Sequence, residues 1–92
     1  MSKKRIVSPL TLGTPVFIRS VTYYYTGRII GLTKEEILLA DAAWIADTGR
    51  FGTALKTGDL NEVEPFRDVV SVARGSVVDV TRWPHRLPRM QK

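Results

Sequence analysis

The sequence predicts a mainly β protein: a small, strongly bent, five-stranded antiparallel barrel with one short helix inserted after the third strand. The chain has 92 residues, which is enough for one domain only. Five segments rich in β-branched and aromatic residues fall between residues 15 and 81. Gly27 and Gly31 lie four residues apart within one segment, where they should share one face and allow the strand to bend.

The first three strands are bounded by turn signals. Pro15 opens the segment PVFIRSVTYYYTGRIIGL, which is too long for one strand of usual length, so we divide it near Thr22–Tyr24. The polar run from Leu32 to Glu36 supplies the next turn. The third strand is predicted over Ile37–Ala42.

The predicted helix begins where the third strand ends. Asp47 or Thr48 is a suitable N-cap, and Phe51 and Leu55 share one face at i, i+4 spacing. Gly58 fits the position that ends a helix in left-handed conformation. A helix this short needs packing against the barrel to persist.

The last two strands are predicted over Val69–Ala73 and Val77–Thr81, on either side of the dipeptide Arg74-Gly75. One interpretation of the dipeptide is a hairpin whose glycine adopts a positive φ. Both strands are β-branched and uncharged at alternate positions, which favours pairing with another copy of the chain. Self-association into a homo-oligomeric ring is therefore expected.

Excess positive charge lies at the two ends of the sequence. The net charge is +5, yet residues 6–81 hold seven cations and all nine acids. The basic ends suggest attraction to a polyanion such as RNA, or simply solvated tails. The chain divides into a basic N-terminal arm, one β-barrel domain and a basic proline-containing tail: 1–14, 15–83 and 84–92.

Several functional classes find no support in the composition. There is no cysteine and only one histidine, so thiolate chemistry and histidine-rich metal sites are excluded. No nucleophile elbow, zinc-protease or phosphate-loop motif is present, and we expect no enzyme, no metal and no cofactor. No apolar run is long enough to span a membrane, which favours a cytoplasmic protein.

Two segments resemble the Sm-like fold, a small bent barrel of the SH3-like kind that forms rings and often binds RNA. Gly27-Arg28-Ile29-Ile30-Gly31 with Ile37–Ala42 is similar to its N-terminal part, and Val72–Val80 with Arg74-Gly75 to its C-terminal part. The resemblance implies a ring in which Arg74 faces the centre. Leu38-Leu39 stands where the family's RNA-binding residues lie, so uridine binding is not implied.

A second resemblance covers more of the chain. The strings DAAWIADTGRF, EVEPF and RGSVVDVTRW are similar to those of a family of small tailed-phage proteins without a settled activity. This resemblance implies a phage-encoded protein of the host cytoplasm.

The candidate ligand site surrounds the start of the helix. Trp44 offers a stacking surface, while Asp47, Thr48 and Arg50 offer a hydroxyl, a cation and a helix N-terminus for a phosphate. Three further residues complete the predicted set: Tyr24, Arg28 and Arg74. Alternatively, Trp44 and Phe51 plug one end of the barrel and Arg50 is solvated.

The predicted function is that of an oligomeric binding protein for an anionic ligand. RNA and a small or cyclic nucleotide, such as a sequestered host signal, are the expected ligands. The alternative is a structural or chaperone-like phage assembly factor with no small ligand.

Overall fold

A computed structural model describes residues 6–92, which form one antiparallel sheet, one α-helix and one 3-10 turn. The strands are β1 Pro15–Ser20, β2 Tyr24–Leu32, β3 Glu36–Asp47, β4 Glu62–Pro65, β5 Val70–Ala73 and β6 Val77–Arg82. Helix α1 spans Phe51–Thr57, and the 3-10 turn spans Arg74–Ser76. The strand order is β4-β3-β2-β1-β6, with β5 also beside β3. The predicted basic start, Lys3 to Arg5, lies outside the described residues.

The mainly β, antiparallel character and the helix after the third strand are confirmed. The sheet has six strands where the sequence predicts five, because Glu62–Pro65 forms β4 beside the second half of β3. The sheet is not closed. β5 and β6 pair with β3 and β1, not with each other, and Gly75 has no positive φ, so the hairpin interpretation of Arg74-Gly75 is wrong.

Strand β3 runs to Asp47 rather than ending at Ala42, and a β-bulge in its middle shifts its register against β2. Asp41 lies in this bulge with φ of 50°. Opposite it, a Cβ on Gly27 would lie 2.9 Å from the Cβ of Leu39, so only glycine allows this close approach. Gly31 faces Leu38 instead, so the two glycines lie on different faces of the sheet, contrary to prediction.

The sheet has an apolar core on each face. The first core contains Val16, Ile18, Ile29, Ile37, Leu39, Ala42 and Val72. The second contains Phe17, Ala43, Ile45, Ala54, Leu60, Val63 and Trp83. Because side chains alternate along a strand, consecutive residues of β1 enter different cores, and Val16, Phe17 and Ile18 are all 0% exposed.

Helix α1 and the segment after β6 cover the second core. Ala54 of α1 is buried, and the Trp83 ring stacks on Phe17 with centroids 5.5 Å apart. Beyond Trp83 the chain stays on the domain: Val63 and Lys92 exchange both backbone hydrogen bonds, at 2.9 and 3.0 Å. Residues 84–92, predicted to be a separate tail, are therefore part of the folded body.

The two tryptophans provide a test of the second core. Trp83→Ala should lower the free energy of unfolding by about 3–5 kcal/mol, since the ring is fully buried. Trp44→Ala removes the same atoms from a half-buried position and should have a clearly smaller effect. Urea unfolding followed by circular dichroism measures both. Equal losses would contradict a second core built around Trp83.

Candidate functional site

The aromatic residues of the predicted site lie on two faces of the sheet. Trp44 is half-buried in β3, and its ring meets Tyr23 edge-on with centroids 4.6 Å apart. Tyr24 pairs with Ile45, the neighbour of Trp44, so its side chain lies on the other face. There it stacks on Phe17, with centroids 5.5 Å apart. Trp44 and Tyr24 therefore cannot contact the same ligand group.

The β3–α1 connection holds Asp47, Thr48 and Arg50 close together, but two of them are engaged locally. The Asp47 carboxylate accepts hydrogen bonds from Gly49 N at 2.8 Å and Asn61 Nδ2 at 3.4 Å. The Thr48 hydroxyl is buried and donates to Gly49 O at 2.7 Å. Neither residue caps α1. Arg50 precedes the helix without a side-chain cap bond, so the predicted capping is wrong.

Arg28 and Arg74 lie away from this connection. Arg28 forms an ion pair with Asp41 at 2.7 Å, midway along the sheet. Arg74 donates from Nη1 to Thr33 O at 2.7 Å, near the start of β3. Arg50 follows the other end of β3. The 12 residues of this strand span about 36 Å when measured along the strand. The seven predicted residues do not form one site.

A cleft that the sequence did not reveal lies beside the second core. Its volume is about 620 Å³, and its walls are Gly58–Val63 and the segment Arg86–Lys92. The apolar lining consists of Leu60, Val63, Leu87, Pro88 and Met90. Charged residues also line it: Asp59, Arg86, Arg89 and Lys92. This is the size and composition of a small-molecule binding cleft.

Hydrogen bonds to the domain hold two of the cleft's cations in place. Arg89 donates to Ala42 O at 2.7 Å and to Phe66 O at 3.0 Å, and these carbonyls leave its charge uncompensated. Lys92 Nζ contacts Asp59 Oδ1 at 2.7 Å, and this hydrogen bond lowers the pKa of the Asp59 carboxyl. Arg86 is exposed and forms no ion pair within residues 6–92. The lining therefore carries a net positive charge.

His85 joins the end of α1 to the segment that walls the cleft. Its Nε2 lies 2.7 Å from Leu55 O. Because a carbonyl only accepts, Nε2 carries the hydrogen. The imidazole meets the Trp83 ring edge-on at 4.8 Å between centroids. The imidazole also packs against Gly58. Gly58 ends α1 in the left-handed conformation, with φ of 79°, as predicted. The contact fixes the segment after β6 against the helix.

The sequence does contain a weak signal for this cleft. In WPHRLPRMQK, Leu87 and Met90 alternate with cations, a pattern compatible with an amphipathic segment. Pro84 and Pro88 interrupt any helical or strand period, so the sequence predicts only a basic tail, either attracted to a polyanion or solvated. Trp83, a large apolar residue directly before it, was the best indication of docking.

Other classes of site find no support in the part of the chain that the structure describes. Residues 6–92 contain no group of three His, Cys, Asp or Glu side chains placed to hold a metal ion. None of the helices in that range is long and apolar enough to cross a membrane. The sequence matches no protein-family model, and comparison with curated proteins and with solved structures finds no significant match.

Two glycines near α1 test the contact with His85. Gly58→Ala should lower the free energy of unfolding by at least about 1–2 kcal/mol, because its φ is positive. Its Cβ would also lie 2.7 Å from the His85 ring. Gly52→Ala, inside α1 with open space around it, should leave stability unchanged or raise it by up to about 1 kcal/mol. Thermal unfolding distinguishes them, and a harmless Gly58→Ala would contradict the packing of His85.

Proposed function

We propose that this chain is a self-associating protein that binds a phosphate-bearing ligand, RNA or a small nucleotide, on a cationic face formed by Arg86, Arg89 and Lys92. The observation that carries the proposal is the docking of residues 84–92 on the domain. Arg89 is held by two carbonyls and Lys92 by the backbone of Val63. Cations that are already ordered lose less conformational entropy when they bind an anion.

The distribution of charge supports this face over the sheet. In the sheet, Arg19 and Arg28 are neutralised by Asp79 and Asp41. The hydrogen bond from Arg19 lowers the pKa of Asp79, as expected of a committed ion pair. The cationic face has three cations and one acid, Asp59, which is paired with Lys92, so Arg86 and Arg89 are left without a carboxylate partner within residues 6–92. Phosphate should therefore be attracted to this face.

The resemblance to tailed-phage proteins suggests one ligand with a phosphate group, a signalling nucleotide of the host. Phosphate is the group common to RNA and nucleotides, so the experiment uses both. A labelled single-stranded RNA of 12 uridines and a cyclic dinucleotide serve as separate probes.

RNA affinity should depend on salt through the cationic face. If two or three of its cations contact phosphates, the slope of log K against log salt should be about −1.4 to −2. Arg86→Gln should weaken binding about tenfold and reduce the slope by about 0.7. Fluorescence anisotropy at several salt concentrations measures both quantities.

Two variants make this measurement specific. Lys34→Gln removes the same charge from the β2–β3 turn, at the opposite end of β3 from α1, and should leave affinity nearly unchanged. Arg50→Gln tests the site predicted from sequence. A loss confined to Arg50→Gln would move the site to the β3–α1 connection. Binding of neither probe would contradict the proposal and favour the assembly-factor alternative.

The open edges of β5 and β6 support self-association. Each has one neighbouring strand within the described residues, and the 3-10 turn Arg74–Ser76 joins them. Val69 is 50% exposed and Val78 60% exposed at these edges. We propose that the curved sheet is a partly open barrel of the Sm-like or SH3-like kind, and that β5 of one copy pairs with β6 of the next.

Mass measured by light scattering should be an integer multiple, at least twofold, of the 10.3 kDa protomer. Val78→Lys should reduce the mass to that of the protomer without unfolding it, because a charge at a β edge opposes pairing. Ile30→Lys changes a residue of similar exposure in the central strand β2 and should leave the mass unchanged. A wild-type monomer at micromolar concentration would contradict self-association. Val72 is unsuitable for this test because it is buried in the first core.

A further inference from the structure

The cleft beside the cationic face has an apolar interior that a phosphate alone does not use. Leu60 and Val63 belong to the second core and form its floor. Leu87 packs against the same core, and Met90 is 82% exposed at the opening. A cleft of about 620 Å³ lies within the range of about 300–1,000 Å³ typical of small-ligand sites.

The lining of this cleft combines charged and apolar residues. Arg86 lines it and has no carboxylate partner within residues 6–92. Arg89 lines it too, with its guanidinium held by main-chain carbonyls rather than by an acid. Guanidinium groups bind carboxylate and phosphate through paired hydrogen bonds, and they are less strongly hydrated than ammonium groups. An anionic head beside an apolar body would match both surfaces.

We propose that the cleft binds a small amphipathic anion, an alkyl or aryl group carrying one phosphate or carboxylate, with the apolar body against Leu60, Leu87 and Met90 and the head at Arg86. The inference rests on the proposed function in that Arg86, Arg89 and Lys92 belong to both. It goes further because it requires an apolar portion of the ligand, which RNA does not supply.

The geometry of Lys92 favours a small ligand over a protein segment in this cleft. Lys92 already occupies the backbone groups of Val63, so a peptide cannot add a strand there without displacing it. Lys92 also keeps Asp59 neutralised, at 2.7 Å from Oδ1. The acid of the lining therefore does not repel an anionic head.

The test is a titration of the full chain with alkyl phosphates below their micelle concentrations. Hexyl, octyl and decyl phosphate are compared by NMR, with inorganic phosphate and 1-decanol as partial ligands. Affinity should rise about fourfold per methylene until the cleft is filled. Decyl phosphate should bind at least tenfold more tightly than either partial ligand. The ε-methyl signal of Met90 should shift. Decanoate distinguishes a carboxylate head from a phosphate head.

Matched variants locate the ligand. Arg86→Gln should weaken decyl phosphate at least tenfold while leaving 1-decanol unchanged. Met90→Gln should weaken decyl phosphate severalfold, whereas Ile30→Gln, an exposed apolar residue on β2, should have no effect. Both changed side chains in the cleft are exposed, so thermal unfolding should be unaltered.

The outcomes separate this inference from the proposed function. RNA binding without any gain from alkyl chains would overturn the inference and leave the proposed function in place. Saturable decyl phosphate binding without binding of RNA or the cyclic dinucleotide would support the inference and overturn the proposed function. An equal loss in Ile30→Gln and Met90→Gln would show nonspecific adsorption and would overturn the inference.

Discussion

The burial of β1 on both faces is the constraint on which the rest of the structure depends. Val16, Phe17 and Ile18 follow one another in the sequence and none has exposed surface. Because the side chains of β1 enter a core on each face of the sheet, the face that bears Phe17 must be covered by other elements. Helix α1 and the segment beginning at Trp83 supply that cover. Helix α1 and the segment after β6 pack where they do because Phe17 needs an apolar cover, as well as because of their own sequences.

This constraint also explains why the segment after β6, which carries the cationic face, is ordered. Trp83 anchors it by stacking on Phe17, His85 meets the end of α1, and Lys92 adds backbone pairing to β4. Three contacts of different kinds hold ten residues that carry little secondary structure. Cations that would otherwise be mobile then have fixed positions beside apolar side chains, an arrangement that loose basic tails do not provide.

Elements with local signals could be predicted from the sequence, and those that depend on distant contacts could not. Pro15 and Gly58 mark a strand start and a helix end through their own backbone preferences, and both positions were predicted. The continuation of β3 beyond Ala42 was missed because a bulge interrupts the alternation of its side chains. The capping role of Asp47 failed because its carboxylate bonds to Gly49 and Asn61 instead.

The candidate site shows the same division. Trp44, Asp47, Thr48 and Arg50 are neighbours in sequence, which predicts a site. Asp47 and Thr48 instead bond within the β3–α1 connection, and Tyr24 lies on the opposite face of the sheet from Trp44. The cleft lies between residues 58–63 and residues 86–92, which are far apart in the sequence and meet through the second core and through the bonds of Lys92 to Val63 and Asp59. Their spacing in the sequence does not predict this contact, because it depends on the packing of Trp83 against Phe17.

The bulges in the long β2–β3 pair have a consequence for changes in chain length. The bulge at Asp41 adds one residue to β3, and a second irregularity near Ile30 adds one to β2. Excising a bulged residue leaves the flanking pairs in register, whereas deletion anywhere else in these strands inverts every following side chain. Within the β2–β3 pair, these two positions are thus the places where a strand can be shortened by a single codon. The local irregularity would then be lost, and each remaining residue would keep its face of the sheet.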